Sequence, residues 1–203
     1  IILVSTNKGL CGSLNSNLFR SLNDWFLKDA ETDFVTFGEK GRLLVLRLGK
    51  NLVADFSSSL FLNSVGALLN LIIEGYTKGI YKEVYLVYNN FLSILNHEPI
   101  RKLLLPLGEI LTEEKSTKDF LIEPDLKTVL LQLLPHYLEV EIRKAILEAE
   151  ASEHSSRMMA MKAATDNALS LMGDLTLEYN KARQQMITFE LADITTAREA
   201  ING

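Results

Sequence analysis

The decisive stretch of this sequence is residues 147–189, LEAEASEHSSRMMAMKAATDNALSLMGDLTLEYNKARQQMITF. Alternate steps of four and three residues pass through Leu147, Ala151, His154, Met158, Met161, Thr165, Ala168, Met172, Leu175, Tyr179, Ala182, Met186 and Phe189. Only His154 and Thr165 interrupt the apolar series. A repeat of 3.5 residues held for about six heptads is typical of a left-handed coiled coil. The pattern therefore predicts one very long helix with an apolar seam.

The flanking sequence extends this helix. After Pro135 there is no further proline, and Gly173 is the only glycine before Gly203. At about 1.5 Å per residue, some 60 residues would span about 90 Å, more than a small domain can cover. We expect residues 126–203 to form this helix, which projects from the rest. We also expect its seam to pair with an upstream helix that precedes Ile1 in a longer protein.

Strand and helix signals alternate in the first half of the chain. The apolar run Ile1 to Ser5 ends at the turn signal Asn7-Lys8-Gly9, and helical spacing follows from Leu14. Further strand-like runs cover residues 33–37 and 83–88, and a helix is expected over residues 62–76. Alternation of this kind predicts an α/β, Rossmann-like lobe with a parallel-rich sheet over residues 1–125.

Two segments of the lobe are harder to interpret. Gly38-Glu39-Lys40-Gly41 has the composition of a turn, and we expect one there. The stretch from Asn96 to Glu123 mixes prolines with strand-like pieces and is interpreted as an edge or an excursion of the sheet.

The overall composition excludes several classes of function. The net charge of -5 and the pI near 5.3 argue against nucleic-acid binding. The single cysteine, Cys11, has no partner for an internal disulfide. The longest apolar runs, such as Leu68 to Ile73, fall far short of the roughly 20 residues of a membrane-spanning helix. We expect no direct membrane insertion, so any membrane association would go through a partner.

Four segments resemble the γ subunits of F-type ATP synthases. They are VSTNKGLCGSLN at residues 4–15, ASEHSSRMMAMKAATDNA at 151–168, YNKARQ at 179–184 and ITFEL at 187–191. The resemblance covers both ends of the sequence in the right order. It departs from many relatives at Asn7, Phe189 and Asp193, which affects polar contacts at the end of the helix.

This resemblance implies a rotor, the central stalk that couples rotation of the membrane c-ring to conformational cycling of the catalytic hexamer. The implied partners are the α, β and ε subunits and the c-ring. The implied location is peripheral on the energy-coupling membrane, at the cytoplasmic face of a bacterial inner membrane or the matrix face of the mitochondrial one. The resemblance also implies that this chain takes part in proton transport and ATP synthesis without a catalytic residue, cofactor or metal site of its own.

The resemblance also implies roles for individual residues. Arg183, Gln184, Thr188 and Glu190 match positions that face the hexamer, and Arg157 matches a lower helix position important for coupling. Glu123 matches a position near the c-ring. The seam residues of the implied coiled coil are Leu147, Met158, Met161, Ala168, Met172, Leu175, Tyr179, Ala182, Met186 and Phe189.

Without the resemblance, plainer interpretations of these residues would prevail. The Gly9-Leu10-Cys11-Gly12 loop lacks the spacing of a phosphate-binding motif, so a structural turn is favoured. His97, His136 and His154 are far apart in sequence and suggest no metal site. Charged residues along the helix would form a solvated face.

Two other functions fit the pattern less well. One is an enzyme built on a small nucleotide-binding α/β lobe, which would bind nucleotides through residues 1–125. The other is a coiled-coil adaptor unrelated to energy conversion, which would bind generic helical partners.

Overall fold

A computed structural model describes residues 1–26, 32–57, 61–107 and 125–202. The chain divides into two compact units, Ile1–Met159 and Ala160–Gly203. The predicted boundary at residue 125 coincides with the start of the long helix, whereas this division falls within that helix. Where the functional domains meet stays a prediction.

The first unit contains a mixed five-stranded sheet in the order β3-β2-β1-β4-β5. Its strands are β1 (Ile2–Val4), β2 (Asp33–Phe37), β3 (Asn51–Asp55), β4 (Val84–Phe91) and β5 (His97–Leu105). The first four are mutually parallel, and β5 runs antiparallel to β4 at one edge. Pro99 lies on this edge strand, where the missing N–H of proline is tolerated.

Helices cover both faces of the sheet. They are α1 (Leu14–Phe26), α2 (Glu39–Arg47), α3 (Val65–Thr77), which follows a 3-10 turn (Phe61–Ser64), and the first part of α4 (Leu126–Asn202). On one face, Leu18, Leu22 and Phe26 of α1 share a cluster with Leu3 and Val45. On the other face of the sheet, α3 and the first part of α4 pack against β1, β2, β4 and β5. The predicted Rossmann-like lobe with a parallel-rich sheet is confirmed.

The first part of α4 belongs to the core of this unit. Leu138, Ile142, Ala145, Ile146 and Ala149 are buried at helical spacing against the sheet. This second apolar face was not predicted from the sequence. On an ideal helix at about 100° per residue it lies opposite the predicted seam.

The second unit, Ala160–Gly203, continues α4 to Asn202. Every residue from Met161 to Ile201 is exposed. At about 1.5 Å per residue, this part of the helix alone is about 65 Å long. The predicted long C-terminal helix is confirmed.

The turn predicted at Gly38–Gly41 is wrong, because α2 begins at Glu39. Gly38 precedes the helix at a φ of 96°, a conformation that glycine adopts readily. Gly41 lies inside the helix for another reason: a Cβ there would come 2.7 Å from Ser5 Oγ. Close approach of the helix to β1, and not chain reversal, accounts for this second glycine.

The stretch from Asn96 to Glu123 contains an edge strand, β5, where the sequence suggested an edge or an excursion. The strand ends at Leu105, and residues 108–123 of the same stretch lie outside the described residues.

Candidate functional site

The two sequence segments with the most specific resemblance meet in the first unit. The loop that follows β1 contacts α4 about 145 residues later in the chain. Ser156 Oγ donates a hydrogen bond of 2.8 Å to the carbonyl of Cys11, and Arg157 Nε and Nη2 each lie 3.4 Å from the carbonyl of Gly9. We call residues 6–12 the β1 loop. Its shape depends on α4.

Arg157 is held in place from its own helix. Its Nη2 lies 2.5 Å from Oε1 of Glu153, one turn earlier, and the two side chains are only 25% and 15% exposed. Because a guanidinium offers several donors in a rigid fork, it can keep this ion pair and still approach the loop. The structure thus places Arg157 at the β1 loop, while the sequence supplied only its position on the helix.

The β1 loop is also braced from within. Thr6 Oγ1 donates to the carbonyl of Lys8 at 2.8 Å and accepts a 2.7 Å bond from Asn15 Nδ2. Asn7 Oδ1 accepts the backbone N–H of Glu39 at 3.0 Å. The side chains of Thr6 and Asn7 therefore hold the loop in its conformation. This arrangement supports the interpretation of the loop as a structural turn.

Leu10 is distinguished within the β1 loop by its backbone conformation and its exposure. It has a φ of 62°, unusual for a residue other than glycine, and its side chain is 75% exposed. A left-handed backbone at a non-glycine residue costs free energy and persists only where surrounding contacts impose it. The bonds from Ser156 and Arg157 flank this residue and provide that support. The result is an apolar side chain presented to solvent by a braced loop.

The crevice that usually binds ligands in such sheets is crossed by α4. Strand order reverses between β1 and β4, and ligands of open α/β sheets bind beyond the carboxyl ends of strands at such a point. Here Ser152 Oγ lies 3.2 Å from the carbonyl of Asn89 on β4, and Ser156 bonds the loop after β1. Ser152 is fully buried. The chain's own helix therefore lies where a nucleotide would be expected.

Ionisable groups support this helix–sheet contact. Lys102 Nζ on β5 lies 2.6 Å from Oε2 of Glu141 on α4. The Tyr88 side chain is nearly buried against the same helix, and burial, followed by the nearby Glu148 carboxylate, raises its pKa strongly. Tyr88 therefore stays neutral and acts in packing and hydrogen bonding.

The four residues matched to hexamer-facing positions lie in the second unit. Arg183, Gln184, Thr188 and Glu190 are all exposed. Thr188 Oγ1 donates to the carbonyl of Gln184 at 2.8 Å, and neither Arg183 nor Glu190 forms a salt bridge with any described residue. On an ideal helix, Gln184 and Thr188 share the face opposite the seam, while Arg183 and Glu190 flank it. Their charged groups are free for a partner.

The seam is uncovered along its length. The large side chains of the predicted seam are 40% to 71% exposed, from Met161 at the lower limit to Phe189 at the upper. Ala168 and Ala182 are exposed as well. Thr165, one of the two polar interruptions, bonds its hydroxyl to the carbonyl of Met161 at 3.0 Å and so removes its donor from the seam. No described residue of this chain pairs with the seam, whose role as half of a coiled coil stays a prediction.

Glu123, the position matched to the c-ring, lies outside the described residues. In the part of the chain that the structure describes, no cluster of three His, Cys, Asp or Glu side chains is arranged to hold a metal ion. None of the described helices combines the length and apolar character needed to cross a bilayer.

Ser152, Ser156 and Glu153 were not predicted as site residues from the sequence. The two serines lie four residues apart and continue the buried face at Ala145 and Ala149. That spacing was available in the sequence. It was not used in the prediction because the 3.5-residue repeat of the seam follows the opposite face of the helix.

Comparison with known sequences gives a consistent match. A family model described as ATP synthase matches residues 1–201. The ATP synthase gamma chain of Pasteurella multocida (strain Pm70) is 41% identical over 212 residues, covering 99% of this chain and 73% of that protein. The gamma chain of Legionella pneumophila (strain Corby) is 35% identical with the same coverage of both.

Solved structures give the same picture for the fold. A chain of the Tetrahymena thermophila mitochondrial ATP synthase, from its central stalk and c-ring structure, is 27% identical with a TM-score of 0.61, covering 81% of this chain and 75% of that one. A chain of the Euglena gracilis mitochondrial ATP synthase, in rotational state 3, is 20% identical with a TM-score of 0.71. It covers 98% of this chain and 71% of that one, and at this identity it supports the fold alone.

Proposed function

The chain belongs to the ATP synthase gamma chain family, and we propose that it is the central-stalk rotor that couples c-ring rotation to the catalytic hexamer. In this role, proton flow turns the c-ring, and the turning chain forces the three catalytic sites through different conformations in sequence. The chain is a subunit of ATP synthase, and the ATP chemistry itself takes place in other subunits.

The observation that carries this proposal is the exposure of α4 in the second unit. Every residue from Met161 to Ile201 is exposed, although the stretch includes a long apolar seam. Soluble proteins rarely leave a large contiguous apolar surface open to water, and such surfaces mark interaction sites. A rotor shaft needs this property, because it must be enclosed by other subunits over much of its length.

The proposed hexamer contacts lie on two sides of α4. Arg183 and Glu190 carry opposite charges on the same flank of the seam, seven residues apart, without ion pairs to described residues. Gln184 and Thr188 offer neutral polar groups on the far face. A turning shaft with different chemistry on two sides presents a different surface to each catalytic subunit at each angle.

Arg157 acts indirectly in this proposal. Its guanidinium holds the β1 loop through Gly9, and the loop presents the exposed Leu10. Since Glu153 fixes the guanidinium in turn, loss of either charge would loosen the loop. Arg157 would therefore affect coupling through the position of the loop.

The remaining partners follow from family membership. The α and β subunits enclose the helix, while the ε subunit and c-ring bind near the lobe, where Glu123 would contact the ring. The chain would associate with the energy-coupling membrane through the ring, at the cytoplasmic face in a bacterium or the matrix face in a mitochondrion. It binds no nucleic acid in this account, and it needs no cofactor.

Capture of partners from a membrane extract tests this function. The tagged chain is expected to recover ATP synthase α, β and ε subunits. The purified chain alone is expected to show no ATP turnover, since α4 occupies the crevice of its lobe. ATP turnover by the chain itself would favour the enzyme alternative, and recovery of unrelated helical proteins alone would favour the adaptor.

A further inference from the structure

The junction between α4 and the sheet must carry torque if the chain is a rotor. In the function proposed above, the c-ring binds near the lobe, whereas the catalytic hexamer encloses the exposed part of α4. Force therefore passes between the lobe and the helix, in synthesis and in hydrolysis. A helix that slid or turned against the sheet would lose part of this motion, so coupling depends on a fixed register of α4 on the sheet.

The apolar part of this junction does not fix the register by itself. Ile142 and Ile146 are both fully buried against the sheet and lie four residues apart. A shift of α4 by one turn, about 5.4 Å, would put Ile146 in the place of Ile142. Because apolar contacts are non-directional, the same side chain fits there again. One-turn shifts of one packed element past another occur between functional states of proteins.

The serine contacts repeat with the same spacing. Ser152 Oγ lies 3.2 Å from the carbonyl of Asn89, and Ser156 Oγ donates to the carbonyl of Cys11. The shift that exchanges the two isoleucines also brings Ser156 to the place of Ser152. A hydroxyl would then face the carbonyl of Asn89 as before. These contacts can therefore be re-formed in part in a shifted register.

The ion pair between β5 and α4 has no such duplicate. Nζ of Lys102 lies 2.6 Å from Oε2 of Glu141. Among the ion pairs between described residues, it alone joins α4 to the sheet. The residues one turn away from Glu141 on the same side of the helix are Tyr137 and Ala145. Neither carries a carboxylate, so Lys102 would lose its partner after a one-turn shift in either direction.

The surroundings of this pair favour a role in register. The Lys102 and Glu141 side chains are 34% and 16% exposed, so both are partly shielded from water. Loss of one partner from a shielded pair leaves the other charge uncompensated, and fixing a register is the best attested role of such pairs. Arg143, by contrast, pairs with Glu139 on its own helix and reaches the lobe through the carbonyl of Leu62, at 3.3 Å.

We propose that Lys102 and Glu141 are positioning residues that fix the register of α4 on the sheet, so that torque passes between the lobe and the helix without slippage. This role rests on the rotor function proposed above and extends it, because it assigns the transmission of force to one ion pair. Both residues lie outside the four segments that carry the family resemblance.

ATP-driven proton pumping by reconstituted complexes tests this role. ATP hydrolysis and proton uptake are measured on the same vesicles, with the full chain in the complex. Glu141→Gln keeps the shape of the side chain and removes its charge. The relative population of a shifted register should rise by about tenfold or more, as expected for a lost hydrogen bond between charged groups. Protons pumped per ATP should therefore fall while the ATPase rate is maintained, whereas a defect in folding would lower both.

Two further variants separate the pair from a general effect of charge. Lys102→Glu combined with Glu141→Lys rebuilds the ion pair with its charges exchanged and should restore the parent ratio of protons to ATP. Glu74→Gln is the matched control, since it removes an ion pair with Lys78 that lies within α3 and joins no other element. This control should pump protons like the parent.

The outcomes distinguish the positioning role from the rotor function. A parent ratio in Glu141→Gln would overturn the positioning role, as would a folded charge-exchanged chain that does not recover. Lys102→Gln with Glu141→Gln should lose no more than either single change, because both act through one contact, and losses that add would contradict this. If complexes with the parent chain pump no protons, the rotor function itself fails, and the positioning role fails with it.

Discussion

The first and second parts of α4 use apolar residues differently. In the first, Leu138, Ile142 and Ile146 are buried against the sheet while Leu147 on the opposite face stays 52% exposed. In the second, no face is buried, and Met172 and its neighbours on the seam are open to water. The same helix thus stabilises the lobe in one part, and in the other it offers a surface for other chains. Stability and function are separated along one element.

The largest expected effect of this separation is on stability. Ile142 is fully buried, so Ile142→Ala should lower the free energy of unfolding by about 2 to 5 kcal/mol. Met172→Ala removes a side chain that is 64% exposed and should change it by less than about 0.5 kcal/mol. Urea unfolding of the two variants measures both values. Equal losses would mean that the second part contributes to the fold of the chain.

A second test concerns association of the isolated chain. An open apolar seam should drive concentration-dependent association, which sedimentation velocity detects. Leu175→Glu places a charge on the seam and should weaken association by about tenfold or more, because the carboxylate would be buried on pairing. Leu177→Glu is the control, since Leu177 is also exposed, 70% against 55% for Leu175, but lies off the seam. Similar weakening by both would show that association does not follow the seam.

A third test concerns the β1 loop and its attachment to α4. Arg157→Ala removes an ion pair with Glu153 and the contacts to Gly9, so local opening of the loop should become easier by about 1 kcal/mol. Amide hydrogen exchange at residues 9–11 measures this opening. Lys162→Ala, a change at an exposed cation of the second unit, should leave that exchange unaltered. Unchanged loop exchange in Arg157→Ala would remove the positioning role of this arginine.

The smallest expected effect is a pH dependence at His97. Burial lowers the pKa of His97 below its ordinary 6.5, so the unfolded chain binds a proton more readily than the folded one. Stability contributed by neutral His97 is complete above pH 6.5 and is lost as the pH falls from there toward the lowered pKa. His97→Gln should flatten the stability profile in this window. A steeper profile in the variant would reverse the assigned sign.

The sequence predicted the strongly periodic parts of this fold. The strand at β1, the helices α1 and α3 and the long α4 each have a clear run of apolar positions. By contrast, β3 (Asn51–Asp55) was missed because it is an edge strand whose side chains are at most half-buried. The helix α2 was missed because Gly38 and Gly41 resemble turn residues, although Gly41 is required by the nearness of Ser5.

The candidate site was predictable only in part. The periodicity placed Arg157, Arg183 and Gln184 on the helix, and the family resemblance implied their roles. The contact between Ser156 and Cys11 joins residues far apart in the chain, and periodicity carries no information on such a pairing.

The most direct test of the rotor account is the ATPase rate of reconstituted ATP synthase complexes. Arg183→Ala with Gln184→Ala removes a charged and a polar contact from the exposed helix. A contact to a charged group is worth about 1.5 to 3 kcal/mol, so hydrolysis and synthesis should fall at least about tenfold while the lobe stays folded. Asp166→Ala with Asn167→Ala, a matched pair lower on the same helix, should have a smaller effect. Equal and near-normal rates for both pairs would contradict the assignment of the hexamer contacts.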